Sequence, residues 1–170
     1  MFASKIDVPF GVLRLRPESD DDATFRFALF CQSRPEWALL PLHGEARLRL
    51  LRQQFRAQTA SYRARWPDAR FDIIELDEEP VGRVVVDRTD DELRLVDIAL
   101  LASHRNRGIG TSIVSRLIAE ARAARLPARL DAAVNNPAAL RLYRRLGFVP
   151  VAAAPPFVEL EWWPAAELER

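Results

Sequence analysis

The chain has one cysteine, two histidines and six glycines in 170 residues. A lone Cys31 cannot close an intramolecular disulfide. With only His43 and His104 beside it, neither a cysteine-rich metal site nor a zinc or non-haem iron centre is expected, so the metal expectation is none. An excess of one charge is also missing. Twenty-five basic against 24 acidic residues leave a net +1, which supports neither a nucleic-acid partner nor an anionic membrane. No run approaches the roughly 18 apolar residues of a membrane span. The first residues, MFASKIDVPFGVLRLR, lack the continuous apolar core of a secretory signal, so the expected location is cytoplasmic.

What is present is the balance of an ordinary globular domain, 49 % apolar and 29 % charged, and the expectation is one domain over residues 1–170. Leu13 and Leu15 alternate with Arg14 and Arg16 in a strand that Pro17 stops. Ser19 with Asp20, Asp21 and Asp22 then caps a helix reaching about Ser33, a better use of three acids at a helix start than metal binding. Leu48, Leu51, Phe55, Thr59, Tyr62 and Trp66 recur at helical spacing from Gly44 to Trp66. A three-strand meander follows in FDIIEL, VGRVVV and LRLVDIALL, the last apolar on both alternations and hence expected to be central and covered on both faces. Ile109, Ile113, Val114, Leu117, Ile118 and Ala121 stripe a helix ending near Arg125. ARLDAAV is a strand, and Asn136 with Pro137 opens a short helix that Gly147 ends. FVPVAA and FVELEWW close the chain. The order β, α, α, β, β, β, α, β, α, β, β reads as an α/β fold with a mixed sheet of about seven strands and about four helices.

Two of the few glycines stand one residue apart in HRNRGIG, where the last meander strand hands over to a helix. A helix start exposes unpaired N–H groups and the positive end of the helix dipole, and glycine lets an anion approach them. Backbone amides of Arg107, Gly108, Ile109, Gly110 and Thr111 therefore read as a pyrophosphate cradle, with Arg105 or Arg107 adding charge. A tight turn that needs only glycine dihedrals would use the same residues. The P-loop pattern is absent. A dinucleotide-binding GxGxxG fails at Ile113 and lacks a second βαβ half, although Asp131 stands where a ribose-binding acid would; that reading is the runner-up.

RNRGIG resembles the RxxGxG signature of the GNAT superfamily, the acyl-CoA-dependent N-acyltransferases. NPAALRLYRRLGF is similar to that family's NxxAxxxYxxxGF, with Asn136, Ala139, Tyr143, Gly147 and Phe148 in place. Ala102 and Ser103 replace the usual Pro and acidic pair before the signature. The resemblance implies a GNAT-like single-domain fold and acetyl-CoA as acetyl donor. Its pyrophosphate would lie on Arg107 to Thr111. Its pantetheine arm would lie between splayed strands, held by the backbone of Ile98, Ala99 and Leu100 and by Asn136. Asn136 could equally be only a helix cap.

The implied reaction is direct attack of a primary amine of a small molecule or peptide on the thioester, with the oxyanion near the Leu100 N–H and Tyr143 as acid to the sulfur. A core aromatic on an apolar stripe is the plainer role for Tyr143. Asp97 and Asp131, acids inside apolar strands, are the candidate bases, Asp131 preferred; ion pairing would also explain them. The acceptor would be set by the Cys31 to Gly44 connection, the Ala152 to Phe157 turn, and Gln54 and Gln58. A non-catalytic acyl-CoA sensor of the same fold is the competing class. The expected partners are acetyl-CoA and an amine acceptor, with the protein a monomer or homodimer; Trp162 and Trp163 leave one aromatic for a helix or partner subunit to cover.

Overall fold

The computed structural model of the chain describes residues 5–33 and 43–164. Most of the connection expected to shape the acceptor side, residues 34–42, lies outside them. Hydrogen-bonded strands follow the order β1-β2-β3-β4-β5-β6-β8-β7, an eight-stranded mixed sheet where about seven strands were expected. The additional strand is β1, Lys5–Val8. Its four residues KIDV are too few for an alternation to stand out from a loop; pairing with β2 (Gly11–Pro17) from Lys5↔Arg14 to Val8↔Gly11 is what makes it a strand.

The chain divides into two compact units, Met1–Val85 with Asp97–Arg107, and Val86–Val96 with Gly108–Arg170. The first holds β1, β2, α1 (Ala23–Gln32), α2 (Gly44–Arg65) and β3 (Arg70–Leu76), together with the beginning of β4 (Glu79–Arg88) and the end of β5 (Leu93–Leu100). Leu13 and Leu15 face inward, opposite Leu76 and Ile74, as their alternation requires. The α2 stripe is shallower than its pattern suggests. Leu51 is buried, Phe55, Thr59, Tyr62 and Trp66 are half-buried, and Leu48 is exposed. Phe55 packs on Phe27 and Phe30 of α1 with ring centroids 5.6 Å apart in both pairs, joining the two helices.

The acids before α1 do more than cap it. Residues Asp20–Asp22 form a 3-10 turn, and Asp22 accepts from the Ser19 N–H at 2.8 Å and the Ser19 hydroxyl at 3.1 Å. It is also gripped by both Arg16 terminal nitrogens, at 2.8 and 2.7 Å. A second knot lies at Glu18, whose side chain is only 3 % exposed and accepts from Arg26 at 3.0 Å, Arg63 at 2.7 Å and Arg83 at 2.8 Å. Three guanidinium groups share two oxygens, and Arg26 Nε is left buried without a hydrogen-bond partner among the described residues.

The second unit holds the end of β4, the beginning of β5, α3 (Ile109–Ala124), β6 (Ala128–Ala133), α4 (Pro137–Arg145), β7 (Val149–Ala154) and β8 (Phe157–Trp162). All six residues of the α3 stripe are buried. β6 runs parallel to β5, Leu93↔Ala128 to Leu95↔Leu130, and antiparallel to β8. Ala128, Leu130 and Ala132 are buried, and the alternate residues Arg129 and Asp131 join an ionic ladder on the other side. Gly147, at φ +94°, ends α4; a side chain there would meet Trp162 at 3.3 Å. Trp162 is buried, with the Arg122 guanidinium 5.4 Å from its ring centroid, whereas Trp163 and all of β7 are exposed.

β5 is central in the sheet order, but only one face of its start is fully buried. Leu93 and Leu95 are buried and Val96 to Leu101 are half-buried. The apolar run reports a capacity for burial, not what lies against each side chain.

Candidate active site

Gly82 of β4 and the end of β5 approach closely. A Cβ on Gly82 would stand 2.5 Å from the Ala99 carbonyl oxygen, closer than any side chain tolerates. A glycine inside the strand VGRVVV is the legible sign of such an approach. The Leu101 N–H donates to the Val81 carbonyl at 2.9 Å, and the chain turns through a 3-10 turn, Ala102–His104.

Arg105 then folds back. Its Nε donates to the Leu100 carbonyl and its Nη2 to the Gln32 carbonyl, both at 3.0 Å, while the Gln32 side chain accepts from the Ala102 N–H at 3.1 Å. The end of α1 is thus stapled to the loop. Gln32 was not singled out by its sequence context, since a polar residue at a helix end signals nothing by itself. Arg107 is exposed, and its guanidinium carbon stands 6.0 Å from the centroid of Phe10, in the β1–β2 turn.

Gly108 begins the second unit at φ +86°, the left-handed region that suits glycine, and serves as N-cap of α3. Its carbonyl accepts the first helical bond, from the Ser112 N–H at 2.9 Å. The N–H groups of Ile109, Gly110 and Thr111 have no carbonyl one turn earlier to pair with. Gly110 has no positive φ, and an added Cβ would meet nothing nearer than the Leu142 Cδ2 at 3.6 Å, an ordinary contact. Neither backbone conformation nor packing calls for glycine there. Thr111 carries a neighbour that the sequence did not announce, the Arg145 Nη2 of α4, 3.3 Å from its hydroxyl.

The side chains expected to do chemistry fall into different surroundings. Tyr143 is buried on α4, its ring edge-on to Phe148 with centroids 5.9 Å apart. Asn136 caps α4, its Oδ1 accepting from the Ala139 N–H at 3.1 Å, so the capping role is present. Neither strand carboxylate is an isolated buried charge. Asp131 is exposed and pairs with Arg94 at 3.2 Å, in a ladder where Arg94 also holds Glu159 at 2.9 Å and Glu92 at 2.8 Å. Burial would raise the Glu92 pKa, but hydrogen bonds from Arg94 and Arg129 outweigh it and hold that carboxyl below its ordinary value. Asp97 is half-buried and faces Arg83 at 3.4 Å. Gln58 donates to the Tyr62 hydroxyl at 3.2 Å, and Gln54 is half-buried beside it on α2. Burial raises the Cys31 thiol above its ordinary value despite the opposing charge of Arg47.

The chain's residues 37–148 match the acetyltransferase (GNAT) family, and the chain belongs to that family. Solved structures show the same fold. PaiA N-acetyltransferase from Thermoplasma acidophilum, in complex with coenzyme A, aligns with TM-score 0.66 at 15 % identity over 89 % of this chain and 98 % of that one. An acetyltransferase from Thermus thermophilus aligns with TM-score 0.64 at 22 % identity over 89 % and 96 %. A chimera of spermidine N-acetyltransferase SpeG from Vibrio cholerae and hSSAT aligns with TM-score 0.62 at 18 % identity over 89 % and 95 %. None of the curated proteins matches the chain. The dinucleotide-binding runner-up falls with this membership: such folds are built from parallel strands, whereas β1–β2, β2–β3, β6–β8 and β7–β8 are all antiparallel.

Proposed function

We propose that the chain transfers the acetyl group of acetyl-CoA to a primary amine by direct attack. The observation that carries this reading is Gly110, a glycine required by neither dihedral nor packing, at a helix start whose N-cap, Gly108, supplies no side-chain cap. Absence of a side chain there suits close approach of a pyrophosphate. The amides of Gly108 to Thr111 would hold it and Arg107 would add charge. Arg105, committed to the Leu100 and Gln32 carbonyls, would shape the loop.

The backbone of Ile98, Ala99 and Leu100 would serve the pantetheine amides, although the Leu100 carbonyl is already taken by Arg105. The Leu100 N–H would face the developing oxyanion. The acceptor must arrive as a free amine. Its nitrogen forms the bond to the acetyl carbon while the carbon–sulfur bond breaks, and Tyr143 would protonate the departing thiolate. Water, or Asp97 with its half-buried carboxylate, would take the ammonium proton. Its exposed pairing with Arg94, which also holds Glu159, favours a structural role for Asp131.

Isothermal calorimetry with acetyl-CoA, followed by thiol release across amino acids, polyamines, aminoglycosides and peptide N-termini, tests the reading. Binding with release for one amine class is expected. Binding without release for any amine would leave a sensor, and no binding would end the proposal.

A further inference from the structure

α2 carries six arginines, Arg47, Arg49, Arg52, Arg56, Arg63 and Arg65, against one acid, Glu45, in a chain whose net charge is only +1. Arg63 and Arg65 suit the last turn, where the helix dipole is negative, and Glu18 holds Arg63 at 2.7 Å. Neither reason reaches Arg49, Arg52 and Arg56. They are exposed at spacings of three and four, which sets them along one flank about 10 Å long. Arg49 has only Glu45, 4.0 Å away and itself well exposed, and Arg52 and Arg56 form no ion pair among the described residues. Like charges one turn apart oppose the helix, and acidic groups brought by a partner would relieve them. The flank begins near the loop that follows Leu100. The Arg47 charge acts on Cys31, Phe55 packs on Phe27 and Phe30, and Arg63 reaches Glu18, so α2 runs antiparallel to α1. Its beginning therefore lies at the end of α1, where Gln32 is bonded to Ala102 and Arg105.

We infer that Arg49, Arg52 and Arg56 recognise acidic residues of a polypeptide acceptor, whose amine enters past the junction of α1 and α2. This rests on the acetyl-transfer reading above and names its substrate class. An extended peptide advances about 3.3 Å per residue, so about three of its residues span the flank. The chemistry of α2 sets other polyanions aside. Its aromatic residues Phe55, Tyr62 and Trp66 are half-buried, which leaves no exposed ring on which a base could stack. Leu48 is its one exposed large apolar side chain, too little to enter a bilayer.

Three matched peptides test it, each with a free N-terminus and one lysine near it, followed by a tail rich in glutamate, glutamine or further lysine. At low salt the wild type should acetylate the glutamate peptide with the highest kcat/KM. Replacing two exposed arginines, Arg52→Gln with Arg56→Gln, should raise KM for that peptide about three- to tenfold at about 10 mM salt, and the gap should close at about 0.5 M. The effect should fall on KM rather than kcat, as for a group that holds the acceptor without touching the reacting atoms. Arg52→Glu with Arg56→Glu should transfer the preference to the lysine-tailed peptide, a reversal that loss of structure would not produce. Equal kcat/KM for all three peptides in the wild type, or an unchanged KM in the double glutamine variant at low salt, overturns the inference and leaves the acetyl-CoA reading standing. Binding of duplex RNA or phosphatidylserine vesicles that the double variant loses, with no preference among the peptides, assigns the flank to phosphates and also overturns it. Wild type that binds no acetyl-CoA overturns both.

Discussion

Arg105 donates its Nε hydrogen to the Leu100 carbonyl at 3.0 Å, so the first arginine of RNRGIG closes the loop onto the strand that precedes it. Its Nη2 reaches the Gln32 carbonyl at the same distance. A planar guanidinium makes both bonds from one fixed fork, whereas an ammonium is a point donor on a flexible stem. Arg105→Lys should therefore weaken acetyl-CoA binding nearly as much as Arg105→Ala, with little dependence on salt. Arg107→Ala should show the opposite behaviour, a loss greatest at low salt. Calorimetry at two ionic strengths checks the pair, and a strong salt dependence for Arg105→Ala would assign it to the phosphates.

Gly108 and Gly110 should respond differently to alanine. At Gly108, φ +86° makes a Cβ costly, about 1–2 kcal/mol, and the fold should lose stability. At Gly110 the new methyl has room against Leu142, and alanine is the better helix former by about 0.5–1 kcal/mol. Gly110→Ala should thus raise the melting temperature of the free protein while weakening acetyl-CoA binding. Undiminished binding would mean that the cradle is only a turn.

Tyr143→Phe keeps the edge-on contact with Phe148, which needs only the ring. Stability should fall by no more than the cost of the lost hydroxyl contact, about 1 kcal/mol. If Tyr143 is the acid, turnover drops by roughly 10² to 10⁴ with acetyl-CoA affinity preserved. Turnover within twofold of wild type would hand that proton transfer to water or the acceptor.

The hydrogen bonds of Arg16 hold the Asp22 carboxyl well below its ordinary range, against the opposing effect of burial. A depressed folded-state pKa means that the unfolded chain binds the proton first, so this carboxylate stabilises the fold above about pH 4, the ordinary aspartate value. That contribution is lost as pH falls below it. Asp22→Asn should be clearly less stable than wild type at pH 7, and the difference should shrink by pH 3. Urea titrations at both pH values provide the measurement.

Glu18→Gln removes the charge that three arginines share. Breaking a buried pair typically costs about 3–5 kcal/mol; Arg63 is half exposed and is the least affected partner, so a loss near 3 kcal/mol is expected. A loss below 1 kcal/mol in chemical denaturation would show that water already screens the cluster.

Periodic and local features were legible along the chain. The α3 stripe from Ile109 to Ala121 is wholly buried, because a regular helix turns one face to the core whatever it meets there. Asn136, Pro137 and Gly147 marked the ends of α4, because caps and left-handed stops depend only on adjacent residues. The two glycine signatures placed the loop and the family for the same reason. What the chain could not announce were meetings between residues far apart in sequence. Asp131 and Asp97 look alike inside apolar strands, yet one lies in an exposed ladder with Arg94 and the other stands half-buried against Arg83. Gln32 on Arg105 and Ala102, Arg145 on Thr111, and three arginines on Glu18 likewise carry no local signature. A charged side chain's partner is chosen by strand register and helix packing, and these exist only once the fold has formed.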